Sequence, residues 1–443
     1  MKTLLCRLAF GAAVSLVWLC LVSFDARADG PVKTPPLPSP LPVQLNSSNL
    51  NTSPVAVPEP SARALQHYRS SLVFAGVVIL WNLFLPVLIL FTGYSARLRS
   101  WAARWGRNWY FTFVLYCLAL GVLYYLVSLP LHYYTGFIRP HSYDLSNQTF
   151  ARWLGIYFKG AAVMMVAGLV VGWFPFLVIR KSPRRWSLYL GLLAAPFFCV
   201  SEFIQPVVID PLFHQFQPLQ DKALESKILA EAARGGIEGS RVYEVNMSAD
   251  TKTLNAYVTG FMGTKRIVLW DNTLKALNED ELLFILGHEM GHYVLRHILK
   301  LIAFHSVLIL CLYYVVYRLA GRILAQFHTR LGFDSLSDFA ALPLLMVLIL
   351  IVSLVGMPIP MAFSRHIEHE ADRFGLELTH GHHAAATAFV KLLQHDLGIS
   401  RPGIIAEIWL FDHPSAGERI DFCNSYRPWE TGQPSRYGQY IKQ

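Results

Sequence analysis

The sequence predicts an all-α polytopic membrane protein of about six transmembrane helices, preceded by a signal peptide or first anchor, with a small α+β domain split across two polar regions. Three observations lead there. Hydrophobic residues make up 54% of the 443 positions and charged residues only 15%, and the mean hydropathy is +0.38, outside the range of water-soluble globular chains. Apolar runs of about 20 residues, enough helix to cross a hydrocarbon core of about 30 Å, recur along the chain. Only residues 209–297 and 364–443 are polar enough to form a compact domain in water.

The N-terminal segment, 1–28, opens with Lys2 and Arg7, continues through an apolar core and ends in Ala26-Arg27-Ala28, a small-x-small cleavage pattern. It reads as a secretory signal peptide, with an uncleaved anchor as the alternative. Residues 29–68 form a linker, rich in proline from Pro31 to Pro60 and without apolar period, expected to be extended and mostly disordered. Six candidate spans follow at about 70–94, 109–131, 156–179, 186–208, 298–317 and 339–363. The chain is thus a membrane region (69–208), a first polar part (209–297), two further spans (298–363) and a second polar part (364–443).

Lysine and arginine accumulate in short cytoplasmic loops. Arg97, Arg99, Arg104 and Arg107 follow the first span, Arg180, Lys181, Arg184 and Arg185 the third, and Arg318, Arg322 and Arg330 the fifth. All three groups fall on one side. With that side cytoplasmic, both polar regions face the opposite side, which in a bacterial inner membrane is the periplasm; the reverse orientation is the alternative. The formal charge of +9 is explained by this topology. No basic stripe interleaved with stacking aromatics points to nucleic acid. Of the six cysteines, Cys6 and Cys20 lie in the leader, Cys117, Cys199 and Cys311 in spans, and Cys423 alone in a polar region, so no disulfide framework or Cys-x-x-Cys metal site is expected.

The chemistry begins at His288-Glu289-Met290-Gly291-His292. Asn278 followed by Glu281 is a capping-box variant that opens a helix there. Histidines four apart share one helix face, where two imidazoles meet one Zn2+ at about 2.0–2.1 Å. Glu289 is rotated away from them, which suits a general base acting on water instead of a ligand. The bland alternative is a pair of surface histidines, but Gly287 and Gly291 on a capped amphipathic helix favour the site. His297, nine residues beyond His288 and about half a turn round, is expected to face away from the metal in a structural or interfacial role.

A catalytic zinc needs a third protein ligand and an open position. Two spans later the chain returns to the same side at Ser364-Arg365-His366-Ile367-Glu368-His369-Glu370-Ala371-Asp372. Glu368 and Asp372, four apart, allow one carboxylate to ligate and the other to orient a ligand by hydrogen bonding. Spacing alone equally permits Glu370, His366 or His369.

These motifs resemble those of the integral-membrane gluzincin peptidases, which include the CAAX prenyl endopeptidase and the bacterial heat-shock membrane protease. The resemblance spans about residues 143–420. It is carried by Pro211-Leu212-Phe213 through Pro218-Leu219, Asn255-Ala256-Tyr257 with Lys265-Arg266-Ile267-Val268-Leu269, the His288 motif, Ser364-Arg365 with Glu368 and Ala371-Asp372, and His413-Pro414 with Glu418-Arg419. The length and the His413-Pro414 element are closer to the prenyl endopeptidase branch. The resemblance implies a zincin-like catalytic domain, one Zn2+ per chain with Glu368 as third ligand, a zinc metalloendopeptidase activity, and a water-filled chamber among the spans with the metal site at its mouth. It also implies substrates that are membrane-associated or lipid-modified proteins or peptides, with membrane lipids as the other partner. The leader, linker and charge pattern depart from the eukaryotic relatives and point to a bacterial envelope protein, where prenylated substrates are not expected.

Residues 255–271 read as a β-hairpin just before the catalytic helix, an edge on which Asn255, Ala256 and Tyr257 would hold an extended peptide. His413 and Arg419 are candidates for stabilising the oxyanion. Asn82, Lys159, Glu202, Gln205 and His305 lie within spans and are expected to face the bundle interior or water. A non-catalytic alternative is a zinc-stabilised membrane binding or transport module; cleavage of an anchored peptide with and without chelator separates the two.

Overall fold

The structure, a computed structural model, describes residues 53–260 and 265–442. The expected leader and most of the linker lie outside the described residues. Helix α1 (Ala62–Phe91) starts at an N-cap where Ser61 accepts from the Ala64 amide, and the amphipathic α2 (Tyr94–Gly106) follows after Gly93 in the left-handed region. The second span opens with α3 (Trp109–Tyr133), capped by Asn108, and runs on without a break to Ser142. The third joins α4 (Phe150–Val171) to α5 (Trp173–Lys181), and the fourth joins α6 (Trp186–Leu192) to α7 (Ala194–Ile204) and ends at Phe213.

The first polar part contains α8 (Lys222–Arg234), α9 (Glu279–Val294) and strands β1 (Phe216–Pro218), β2 (Arg241–Val245), β3 (Ala256–Thr259) and β4 (Arg266–Trp270). The sheet order is β1-β2-β4-β3, with β2 and β4 parallel and the outer pairs antiparallel. β3 and β4 form the antiparallel pair read from the sequence, Ala256 opposite Leu269 and Tyr257 opposite Val268. Their alternation splits the sheet: Ala256, Ile267 and Leu269 face the core that holds α9, while Tyr257 and Val268 pack on the other side with Val245 and Met247.

The chain re-enters the apolar region through α10 (His297–Leu331) and α11 (Leu342–Gly356), then returns as α12 (Pro358–Thr379), α13 (His382–His395), α14 (Ile404–Leu410) and α15 (Ala416–Ser425). One core is built from both polar parts: Leu219, Ile228, Ile267, Leu286 and Met290 from the first, Phe374, Leu376, Phe389 and Ile420 from the second. The protein is a multi-pass membrane protein whose described residues include six helices long and apolar enough to cross a membrane and a small sheet-bearing domain assembled from two distant stretches.

Several boundaries differ from expectation. The sixth span stops at Gly356 instead of running to 363, because Pro358 lacks the amide a continuing helix needs and starts α12. The fifth continues past 317 to Leu331, so Arg318, Arg322 and Arg330 lie on a helix and not in a loop. The linker is not wholly loose: Val55 and Val57 pack on the polar-domain core, and the Asn424 amide pairs with both the N–H and the C=O of Val55 at 2.9 Å.

The basic groups nonetheless meet at one end of the bundle. Arg99 pairs with Asp338 and with the carbonyl of Gly332, Arg330 lies over the Phe91 ring at 5.7 Å, and Arg180 over Trp109 at 5.8 Å. At the other end, Asp250 is fully buried and takes Arg152 of α4 at 2.9 Å, joining the polar domain to the membrane helices. Within the spans, Asn82 is buried beside Tyr124, Lys159 donates to the Leu212 carbonyl, and Gln205 donates to Asp210; Glu202 is exposed.

Helices α9 and α12 touch backbone to backbone. A Cβ on Gly375 would stand 2.9 Å from the His288 nitrogen and 3.2 Å from its Cα, and one on Gly291 would stand 3.1 Å from Phe374 Cβ. Only glycine fits such a crossing. Gly375→Ala is therefore expected to cost about 1–3 kcal/mol through overpacking. It should lower the thermal midpoint in detergent, whereas Gly155→Ala, whose Cβ meets nothing within 4 Å, should leave it unchanged. Equal midpoints for the two variants would remove this account of the crossing.

Glu231 of α8 is 6% exposed, and burial, opposed in part by Arg234, pushes its carboxyl up to about 8 from an ordinary value of 4.5. A carboxyl raised in the folded state binds its proton there across that interval. Its contribution to stability is fully present below 4.5 and is lost as pH rises through about 8. Between pH 6 and 9 the thermal midpoint of Glu231→Gln should fall less than that of the wild type; parallel slopes would refute the assignment.

Candidate active site

The site starts at the N-terminus of α9. Asn278 Oδ1 accepts from the Glu281 amide at 3.0 Å, and Glu281 Oε2 accepts from the Asn278 amide at 2.8 Å, the reciprocal cap read from the sequence. Lys391 of α13 donates to the same Glu281 at 2.6 Å, which holds the helix against the second polar part. With its start so fixed, α9 carries His288 and His292 on one face.

Helix α12 crosses that face and brings Glu368 to both imidazoles. His288 Nε2 is 3.2 Å from His292 Nε2 and 3.3 Å from Glu368 Oε2, while His292 Nε2 is 3.5 Å from Glu368 Oε1. Donor atoms about 2.1 Å from a shared centre at tetrahedral angles are about 3.4 Å apart, so the spacing matches a small tetrahedral ion. The chemistry of the donors agrees. With its proton on Nδ1, 2.8 Å from Asp372 Oδ1, the neutral form of the His288 ring turns a lone pair at Nε2 towards the others. Glu368 Oε2 is buried, with His288 Nε2 at 3.3 Å and His413 Nε2 at 3.1 Å as its polar neighbours. Converging lone pairs repel unless a cation lies between them. Among the described residues, this is the group able to hold a metal ion.

Surrounding charges fix the acceptors in their ionised form. Burial favours a neutral Glu368, but His413 and His292 outweigh it and hold the carboxyl well below the usual range. Asp372, fully buried, is likewise held far down against burial, by the Arg419 guanidinium and by His288. Arg419 donates to it through Nε at 2.8 Å and through a terminal nitrogen at 2.5 Å, with its charge 4.0 Å above the Phe389 ring.

His413 Nε2 lies 3.1 Å from Glu368 Oε2 and its Nδ1 2.9 Å from Asp412. Desolvation lowers it, but these two carboxylates push it up to about 10. At 41% side-chain exposure it stands at the open side of the cluster. Glu289, half-buried, follows His288 on α9. Asn255 is tied by its main chain to Thr273, accepting and donating at 2.7 and 2.8 Å. Ala256 is buried at the start of the edge strand β3, and the Tyr257 side chain lies on the sheet face away from α9. The other candidates on α12 part company: His366 is exposed, His369 lies tilted against Phe422, and Glu370 takes Lys300 at 3.0 Å.

Two residues gain roles that spacing did not show. Arg365 donates to the carbonyls of Glu407 and Phe411, both at 2.8 Å, tethering the loop that carries Asp412 and His413. His297 does not face away: its Nδ1 is 3.0 Å from His292 Nδ1. The half-turn argument assumed one unbroken helix, but α9 ends at Val294 and Arg296 takes the left-handed conformation at φ 56°, folding His297 back. The only signal for it in the sequence is a histidine at the junction between polar and apolar segments.

Comparison with known proteins bears on this geometry. Residues 218–426 match the model of peptidase family M48, and residues 57–215 match that of the CAAX prenyl protease N-terminal region of five membrane helices. The metalloprotease YhfN of Bacillus subtilis is 37% identical over 363 residues, 81% of this chain and 84% of its own. The chain belongs to peptidase family M48. CAAX prenyl protease 1 of Saccharomyces cerevisiae is 26% identical over 68% of this chain and 69% of its own length. The crystal structure of S. mikatae Ste24p superposes with a TM-score of 0.71 at 20% identity, covering 94% of this chain and 96% of that one, so the two share a fold. As a member of the M48 family the protein is an integral-membrane metalloendopeptidase, which implies a bound metal ion.

Proposed function

We propose that this M48 peptidase is a zinc enzyme that hydrolyses peptide bonds in membrane-associated or lipid-modified proteins, with His288, His292 and Glu368 as ligands and Glu289 as general base. The observation that carries the reading is the convergence of three lone-pair donors at tetrahedral spacing. Two imidazoles, one carboxylate and an open position form a donor set suited to catalytic Zn2+. The residues fit the ion, which when bound supplies Lewis acidity to a water and to the scissile carbonyl.

The chain's own groups then have separate tasks. Glu289 takes a proton from the attacking water and passes it to the leaving nitrogen. His413, cationic and exposed beside Glu368, donates to the oxygen that gains negative charge. Arg419 supports this through Asp372, which keeps His288 in the tautomer that faces the metal. The edge strand β3 pairs with an extended substrate through the main-chain groups of Ala256 and Tyr257 that β4 leaves unpaired, while Asn255, its main chain held by Thr273, offers its side chain. Substrate access from the membrane is favoured by the site's position: α10 begins at His297, five residues after a metal ligand. Several relatives are named CAAX prenyl proteases, which supports lipid-modified substrates as a class.

Glu289→Gln should retain one zinc per chain by elemental analysis while the rate of peptide hydrolysis falls by roughly 10²–10⁴-fold. Removing the metal with a chelator should abolish cleavage and zinc should restore it. Substantial turnover by Glu289→Gln, or by metal-free protein, would sink the mechanism.

The positive ends of the spans are assigned to the cytoplasm and the catalytic domain to the periplasmic side of a bacterial inner membrane. The clustering of Arg99, Arg180 and Arg330 at one end supports this. A cysteine replacing exposed Asp280 should react with an impermeant maleimide in intact spheroplasts, and one replacing exposed Ser100 only after permeabilisation. The opposite pattern would invert the orientation.

A further inference from the structure

An imidazole that ligates a metal through one nitrogen is oriented by whatever the other nitrogen bonds. For His288 that partner is Asp372, but for His292 it is a second imidazole. His292 turns Nε2 towards His288 and Glu368, so its proton resides on Nδ1. That N–H points at His297 Nδ1, 3.0 Å away, which must accept; two protonated nitrogens do not face each other at this distance. A neutral His297 accepting at Nδ1 carries its own proton on Nε2. The Nε2 atom is buried without a well-formed hydrogen bond among the described residues and lies 3.4 Å from Glu370 Oε2, a carboxylate held by Lys300 Nζ at 3.0 Å and Tyr437 Oη at 3.1 Å.

Two further features single out this contact. His297 is 0% exposed, so its imidazole meets His292 away from bulk solvent. Its approach also requires Arg296 at φ 56°, a left-handed conformation that a non-glycine residue keeps only where the surroundings impose it.

We propose that His297 is a positioning residue that, aligned by Glu370, accepts the Nδ1 proton of His292 and so presets the tautomer and ring angle of the second metal ligand. The proposal rests on the metal reading given above. In it, α12 serves both imidazoles: Asp372 directly, Glu370 through His297. The relay also ties the ligand set to the C-terminal segment through Tyr437, whose amide and that of Arg436 are held by Glu377.

The test uses full-length protein in detergent and reads zinc affinity by competition with a chromophoric chelator. His297→Asn places a carbonyl oxygen where Nδ1 was and should bind zinc within a few-fold of wild type. His297→Gln reaches towards Glu370 but offers His292 no acceptor, and His297→Phe keeps the volume without any; both should bind about 10–100-fold more weakly. At saturating zinc the two weak variants should show lower kcat with little change in KM. If Asn and Gln behave alike, or Phe binds as tightly as wild type, the relay is refuted, and a purely structural role would lower the thermal midpoint of the metal-free forms without separating Asn from Gln. Should Phe fail to fold, the Asn and Gln pair still decides. Wild-type protein that binds no zinc would refute the metal reading itself, an outcome distinguishable from loss of the Asn–Gln difference.

Discussion

Gly291 and Gly375 let α9 and α12 cross in backbone contact, and every feature of the site depends on that crossing. The donor atoms come from stretches separated by two membrane helices, yet they must meet with tolerances of a few tenths of an ångström. Long side chains reaching across a wider gap would have rotamer freedom to lose, and the spacing would drift. Here the shared core does the aligning: Leu286 and Met290 from one side and Phe374 and Leu376 from the other are fully buried around the crossing. Two helices locked by close packing have one relative position, so His288, His292 and Glu368 inherit theirs from apolar contacts made elsewhere.

Such a crossing gathers charge in a place where charge is expensive. Glu368, Asp372, Asp412 and Glu370 all lie near the buried imidazoles. Three cations compensate them: Arg419 for Asp372, His413 for both Asp412 and Glu368, and Lys300 for Glu370. A buried ionic pair contributes little net stability, because desolvation offsets much of the attraction, and removing one partner leaves an uncompensated charge. The network is therefore better understood as fixing geometry than as holding the fold. Arg419 shows this most clearly, since its planar fork fits both oxygens of Asp372 and so sets the plane in which that carboxylate meets His288.

How much of this was legible in the sequence varied with the range of the interaction. The Asn278–Glu281 cap, the i,i+4 histidines and the paired strands 256–259 and 266–270 depend on neighbours close in the chain, and their residues announce them. The six spans were visible in apolar run length, although their ends were not: Pro358 cut one short and apolar content failed to register the polar continuation of α10 to Leu331. Glu368 was chosen over Glu370 and His369 by resemblance, since all three satisfy local spacing and only the position of α9 separates them. The contacts of Arg365, His297 and Asn424 were not legible because their partners, two carbonyls, a ligand imidazole and an extended segment some 370 residues away, exist only after folding.

The same geometry constrains what a membrane-embedded peptidase can select. On the proposed reading, the sheet whose edge receives substrate is fastened to the membrane helices on its far side: Arg266 of β4 donates to the Pro206 carbonyl, its charge lies 5.1 Å from the Phe216 ring, and Arg152 holds the loop before β3 through Asp250. Main-chain pairing along β3 is indifferent to side-chain identity, so it supplies alignment without a sequence code. Discrimination then falls to what can bring an extended segment to the strand at all. Because the edge strand, the metal ligands and the first turn of α10 lie within one rigid assembly, a segment already attached to the bilayer arrives at high effective concentration, whereas a soluble peptide must pay the full cost of association. On that reading, selection by location follows from where the sheet is anchored.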